Sequence, residues 1–319
     1  KPLAMTANVS KTKTPNVGVL CIDNAKIFEE IYGKINHSYI SCAYVKYLEA
    51  AGAHVVPIWI GRPRVYYQEL LSQLNGVLLP GGAVFLDSAQ APELSNDCVE
   101  SARYICEIAL ELNEQQRYFP IWGTCLGFQL LLINAAKTKE VRIDCDVMNK
   151  ALPLQLVEDY ESSQLLKALT PALAAQMQCV PFACHQHRYC ITTATLEEFK
   201  LAADWRVLAT AVDNKQLRFV TLIEHRRYPL FGSQFHPERA NYEQLFMRAD
   251  PWQEAHSQPC LQSAHYFAEF FVDCCRRNGN SFASDKEKAR HIIWNWQPVF
   301  SGKHSTTQQC YLFPKNVDY

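Results

Sequence analysis

Three short stretches of the chain carry the residue types that acyl-transfer chemistry uses. In Gly123-Thr124-Cys125-Leu126-Gly127 an apolar run, Phe119-Pro120-Ile121-Trp122, stops at a cysteine between two glycines. Leu126, Leu130, Leu131 and Ile133 then continue as an apolar helical pattern. The glycines allow close backbone approach, and a thiol on such a strand-to-helix turn stands beside a helix N-terminus. There the macrodipole and free N–H groups favour thiolate over thiol and can receive an oxyanion. A cysteine by itself is most often a small buried hydrophobe, so Cys125 as a nucleophile needs partners. His236-Pro237-Glu238 offers a base and a group to orient it. Two residues apart on an extended segment, both side chains face the same way, and Pro237 biases His236 toward that geometry. Pro80-Gly81-Gly82 closes an apolar run with two glycines, whose backbone N–H groups can turn toward a ligand.

These stretches must be brought together by a sheet. Residues 17–22 read as a buried strand. Ile40, Ala43, Tyr44, Tyr47, Leu48 and Ala51 recur at helical spacing until Gly52, and residues 54–60 form the next strand. A helical stretch at 66–74, a strand at 76–79 and a long helix at 96–113, with Val99, Ala102, Cys106, Ala109 and Leu112 on one face, lead into the cysteine strand. The βαβαβ rhythm with continuously apolar strands predicts an α/β fold, a parallel sheet covered by helices on both faces. Strand ends carrying Gly82 and Cys125 would point the same way, where ligands bind in open α/β sheets. Beyond Ala136 the pattern shortens to strand-like pieces at 152–157, 206–212 and 217–224 and a helical segment at 162–174, the antiparallel part of a mixed sheet. A strand at 230–235 ends in His236, and Ala264, Phe267, Ala268, Phe271 and Cys275 mark a closing helix. Residues 1–16 read as a flexible lead-in and 17–319 as one domain; the tail after Asp285 has no clear pattern.

Composition narrows the partners. With 48% hydrophobic residues over 319, the chain is globular, and a net charge of -1 gives no general attraction to nucleic acid or acidic membranes. An anionic substrate must then meet a local basic patch, for which Arg188 and Arg239 are candidates because they adjoin the site stretches. No run of eighteen apolar residues exists, so no membrane span is expected. The thirteen cysteines form no CxxC pair and no zinc-like spacing, so neither metal nor cofactor is expected. The sequons at Asn8 and Asn36 point to an extracytoplasmic, glycosylated protein, and a first residue that is Lys is what a removed signal segment, or a trimmed chain, would leave.

Taken in order and at these separations, Pro80-Gly81-Gly82, Gly123-Thr124-Cys125-Leu126-Gly127 and Gln234-Phe235-His236-Pro237-Glu238 resemble the three signatures of class I glutamine amidotransferase-type domains. Ala43-Tyr44-Val45-Lys46-Tyr47-Leu48-Glu49, the run from Tyr118 to Phe128, and Ala264-His265-Tyr266-Phe267-Ala268-Glu269-Phe270-Phe271-Val272 narrow the resemblance to the γ-glutamyl hydrolase (folylpolyglutamate hydrolase) family, over residues 17–313. The resemblance implies a three-layer α/β/α fold with a mostly parallel, flavodoxin-like sheet and an antiparallel extension. It further implies hydrolysis of folate and antifolate poly-γ-glutamates by a homodimeric, metal-free cysteine peptidase of the lysosome or the secreted fraction. Carried over, Cys125 is the nucleophile, His236 the base and Glu238 its orienting partner. Gly82 and Leu126 N–H groups form the oxyanion hole, and Tyr44, His187 and Gln129 line the substrate site. Two positions depart from the family pattern: Gln129 replaces a glutamate and Phe235 a tryptophan, and the lost charge at 129 puts efficiency in question. Two other functions share these motifs, a glutaminase subunit delivering ammonia to a synthase and a folate-binding homologue without activity.

Overall fold

In the computed structural model, which describes residues 12–86 and 95–319, the apolar runs become strands with no exposed face. Chain order before the cysteine is β1 (Asn16–Leu20), β2 (Ile22–Asp23), α1 (Lys26–Tyr32), β3 (Asn36–Ser41), α2 (Cys42–Ala50), β4 (His54–Ile58), α3 (Arg64–Leu71), β5 (Gly76–Leu79) and α4 (Asp97–Glu114). Strand β6 (Ile121–Thr124) and helix α5 (Leu126–Ala136) flank Cys125. Then come β7 (Ile143–Leu152), β8 (Gln155–Leu156), α6 (Pro171–Cys179), β9 (Ala183–Cys190), α7 (Thr193–Glu198), β10 (Trp205–Val212), β11 (Arg218–His225) and β12 (Leu230–Ser233). After His236 follow α8 (Pro237–Tyr242), α9 (Gln258–Arg276), α10 (Asp285–His291), β13 (Val299–Phe300) and β14 (Gln309–Pro314).

The main sheet runs β4-β1-β5-β6-β12-β11-β10-β8. Its first five strands are parallel and, renumbered by their place in the chain, read 2-1-3-4-5, the flavodoxin-like order. The last three are antiparallel. Helices α3, α4 and α5 pack on one another, and α2, α6, α8 and α9 do the same, giving a helix layer to each face. The expected α/β architecture with a parallel sheet and antiparallel extension is therefore present. Helix α5 is buried from Leu126 to Leu132, as an all-round apolar helix must be. Trp122 of β6 lies between Phe231 of β12 and Phe267 and Phe271 of α9, with ring centroids 5.9 to 6.5 Å apart, so the same aromatic cluster clamps both site-bearing strands to one helix. Each fully buried aromatic of this kind contributes about 2–3 kcal/mol from its area alone.

Several expectations need correction. The run read as one helix from Ile40 is a strand followed by a helix, because β3 ends at Ser41, whose hydroxyl accepts from Ala43 N–H and caps α2. Helix α6 begins at Pro171, with Thr170 as its cap; the stretch before it has only a 3₁₀ turn at Tyr160–Ser162. On α4 the buried stripe is Cys98, Ser101, Ala102, Ile105, Ile108 and Ala109, one position round from the expected face; Val99, Cys106 and Leu112 pack at its margin. The tail is ordered: β14 pairs with β3, and β13-β14-β3-β2 form a second sheet. Strand β9, unforeseen, pairs with β7 in a separate ribbon. All thirteen cysteines are free thiols.

Candidate active site

Strands β5, β6 and β12 are neighbours, with Leu79 beside Gly123 and Thr124 beside Ser233, so the three motif-bearing loops leave the sheet from one edge. The turn at Cys125 is tight. Gly127 N–H donates to Pro80 O at 3.1 Å, and a Cβ on Gly127 would lie 2.0 Å from the Leu79 carbonyl oxygen. Only glycine lets α5 start so close to β5. Cys125 itself has φ 52° and ψ −101°, a conformation that costs a non-glycine residue about 1–3 kcal/mol. Its N–H donates to Ser233 O (2.8 Å) and its carbonyl accepts from Gln129 N–H (3.0 Å), which holds the strained residue from both sides.

His236 follows β12 with extended backbone, its N–H bonded to Cys184 O of β9 at 2.8 Å. Its Nδ1 lies 2.7 Å from Glu238 Oε1, and both residues are buried. The pairing is as expected but the cause differs. Glu238 sits in the first turn of α8, so the side chains meet through the start of a helix rather than by strand alternation. A Cβ built on Gly81 would lie 2.5 Å from His236 Cε1, 2.9 Å from Tyr44 Oη and 3.3 Å from Cys125 Cβ. Cys125, His236 and Tyr44 thus surround a single point that glycine leaves open. Tyr44 accepts from Gly81 N–H (2.7 Å) and stands 3.3 Å from His236 Nδ1. Gly81 N–H is thereby occupied. Among the described residues neither Gly82 nor Leu126 N–H donates to a backbone carbonyl, and a Cβ on Gly82 would lie 3.4 Å from Leu126 Cδ2, so the two residues are neighbours.

Electrostatics overturn one expectation. Burial pushes the Cys125 thiol up to about 12; the Arg239 charge, the Leu126 N–H and Gln234 pull it down, and Glu238 pushes it further up. Desolvation is the largest of these influences and favours the neutral thiol at Cys125. Burial also lowers His236 below the ordinary histidine value, against the opposing pull of Glu238. A neutral imidazole whose Nδ1–H donates to a carboxylate keeps Nε2 free as a base.

The remaining expected residues are distributed as follows. Gln129 is 4% exposed and its amide is taken up by Tyr189 O, Gln234 and Arg142. His187, on β9, has Nε2 2.9 Å from His185 Nδ1, while its Nδ1 contacts Tyr189 O and Cys145 Sγ. His185 is fully buried with Nε2 unpartnered, and its basicity is lowered well below normal by burial and then by His187 and His236. Arg188 is exposed; Arg239 lies 4.3 Å over the Trp252 ring and makes no ion pair among the described residues. Asn36 opens β3 and is partly exposed, whereas Asn8 lies outside the described residues. Gln234 went unassigned in the sequence although it stands in the His236 motif. Its burial next to two site residues is the signal that reveals it.

No helix among the described residues is long and apolar enough to cross a membrane, and none of their His, Cys, Asp and Glu side chains cluster as a metal site. Residues 15–238 match the peptidase C26 family. The chain is 31% identical over 307 residues to gamma-glutamyl hydrolase of Homo sapiens, covering 94% of this chain and 90% of the relative. It is 29% identical over 302 residues to gamma-glutamyl hydrolase B of Dictyostelium discoideum, covering 94% and 83%. The Trypanosoma brucei CTPS glutaminase domain with bound acivicin superposes with TM-score 0.49 and 16% identity, over 82% of this chain and 94% of that one. On the family match and the curated relatives together, the chain belongs to the peptidase C26 family.

Proposed function

We propose that the chain is a cysteine-dependent γ-glutamyl hydrolase acting on folate and antifolate poly-γ-glutamates. The observation that carries the reading is the Cys125 turn facing a buried His236–Glu238 pair held at 2.7 Å. His236 Nε2 takes the thiol proton as sulfur attacks the γ-carbonyl carbon. The resulting oxyanion is received by the N–H groups of Gly82 and Leu126. Collapse of the tetrahedral species breaks the C–N bond, His236 returns the proton to the leaving amine, and a thioester remains on Cys125. Water, deprotonated by His236, then releases the γ-carboxylate and restores the thiol. Glu238 holds the imidazole tautomer throughout, and Tyr44 restrains the same ring.

Mass spectrometry of the products from a folate pentaglutamate tests the reading. Cys125→Ala is expected to lose at least about a thousandfold in rate; full hydrolysis by that variant overturns the reading. The family resemblance also supports a homodimer in a lysosomal or secreted setting. Sedimentation at micromolar concentration and fractionation of expressing cells check these two points, a monomer or a cytosolic pool counting against them.

A further inference from the structure

The buried carboxamides beside Cys125 form a chain whose polarity is set from one end. Gln129 Nε2 lies 3.0 Å from the Tyr189 carbonyl, which can only accept, and Arg142 Nη1, which can only donate, lies 3.1 Å from Gln129 Oε1. Turning this amide over would set N–H against guanidinium and oxygen against carbonyl. The second Nε2 hydrogen goes to Gln234 Oε1 at 3.2 Å, and that contact orients the next amide in turn. Gln234 is fully buried, and its Nε2 has no hydrogen-bond partner in the resting site. The residue follows Ser233, whose carbonyl accepts the Cys125 N–H, and Gln129 N–H donates to the Cys125 carbonyl, so both residues are tied to Cys125 through the backbone.

We propose that Arg142, Gln129 and Gln234 form a directed amide relay that presents the Gln234 Nε2–H donor to the Cys125 sulfur when its proton passes to His236. Gln234 stabilises the thiolate, and Gln129 and Arg142 are positioning residues. The inference rests on the reading of Cys125 as nucleophile. A donor unpartnered at rest is satisfied only when charge appears on sulfur, which favours the ionised state selectively. The lowering that Gln234 exerts on the Cys125 thiol has the same sign. Gln129 in place of glutamate acquires a meaning here. A carboxylate at 129 would oppose the Tyr189 carbonyl, draw Gln234 Nε2 toward itself and leave Gln234 Oε1 facing the sulfur.

The test is the rate of carboxamidomethylation of Cys125 by iodoacetamide across pH, followed by mass spectrometry of the Cys125 peptide. Gln234→Leu and Gln129→Glu are expected to slow labelling about tenfold at every pH below the thiol's midpoint, displacing the rate–pH line by about one unit. Gln129→Met, which releases Gln234 without inverting it, should fall between these and the natural chain. Should Gln234→Leu fail to fold, as judged by near-ultraviolet circular dichroism, Arg142→Met is expected to shift the profile in the same direction by a smaller factor. Superimposable profiles in the folded variants overturn the relay. Labelling needs no substrate, so the shift with no γ-glutamyl cleavage by the natural chain retains the relay and removes the proposed function.

Discussion

The five parallel strands and the β7–β9 ribbon treat polar residues in opposite ways. Strands β1, β5 and β6 are buried along their whole length, and the candidate site residues Gly81, Gly82 and Cys125 come only after β5 and β6 end. The ribbon is polar within itself: His185, His187, Cys145 and Cys190 lie along it, and its backbone carbonyls at Cys184 and Tyr189 hold His236 and Gln129 in place. The parallel half carries Gly81, Gly82, Cys125 and His236 at its strand ends, and the ribbon acts as a brace that reaches His236 and Gln129 through main-chain atoms. Side chains in the first region are therefore constrained by chemistry, while those of the second are constrained by pairing.

That contrast can be broken in several places. The largest effect is expected from Gly127→Ala, whose methyl would stand 2.0 Å from the Leu79 carbonyl and force β5 and α5 apart. A loss of about 3 kcal/mol or more is expected in urea denaturation, and a change below about 1 kcal/mol would contradict this account of the turn. Next comes Glu238→Gln, which leaves the fold intact but removes the charge that fixes His236. A fall in kcat of about 10²- to 10⁴-fold is expected, and an unchanged kcat means the carboxylate orients nothing. A third prediction concerns the antiparallel half, where His225 Nδ1 accepts from the N–H groups of Arg227 and Tyr228 and burial lowers its pKa to about 4. Its folded value lies below the unfolded one, so the unfolded chain binds more protons between about 4 and 6.5. Its stabilisation is present above about pH 6.5 and is lost as pH falls through that window. Stability measured from pH 7 to 4 should decline less steeply in His225→Gln than in the natural chain; equal slopes would exclude His225 as the source. Smallest of all, His187→Ala is expected to change kcat/KM by less than about tenfold, since its ring nitrogens are engaged within the ribbon. A hundredfold loss would place the ribbon's side chains in the chemistry.

The same division explains what could be read beforehand. Runs such as Gly76–Leu79 and Ile121–Thr124 are apolar throughout and bounded by turn residues, so their strand character, their parallel packing and the site at their ends follow from local pattern. Strand β9, Ala183–Cys190, carries His, Gln, His and Arg, and its pairing is decided by β7 forty residues away, which no local period reveals. Strand β3 was hidden because Ile40 happens to fall at helical spacing from the apolar face of α2. That Cys125, His236 and Glu238 would meet beyond one edge of the sheet was legible from their types and neighbours. The upward push on the Cys125 thiol was not, because burial is a property of the assembled fold and no local pattern shows it.

The thiol at Cys125, pushed up to about 12 and 5% exposed, bears on how the protein ages as well as on how it reacts. Peroxides attack thiolates, and a cysteine held protonated and shielded is a slow target for sulfenic acid formation. An idle molecule with thirteen free cysteines can thus keep Cys125 intact in the presence of oxidants. On the function proposed above, the moment of vulnerability is confined to turnover, when the proton has left and the sulfur is already committed to carbon.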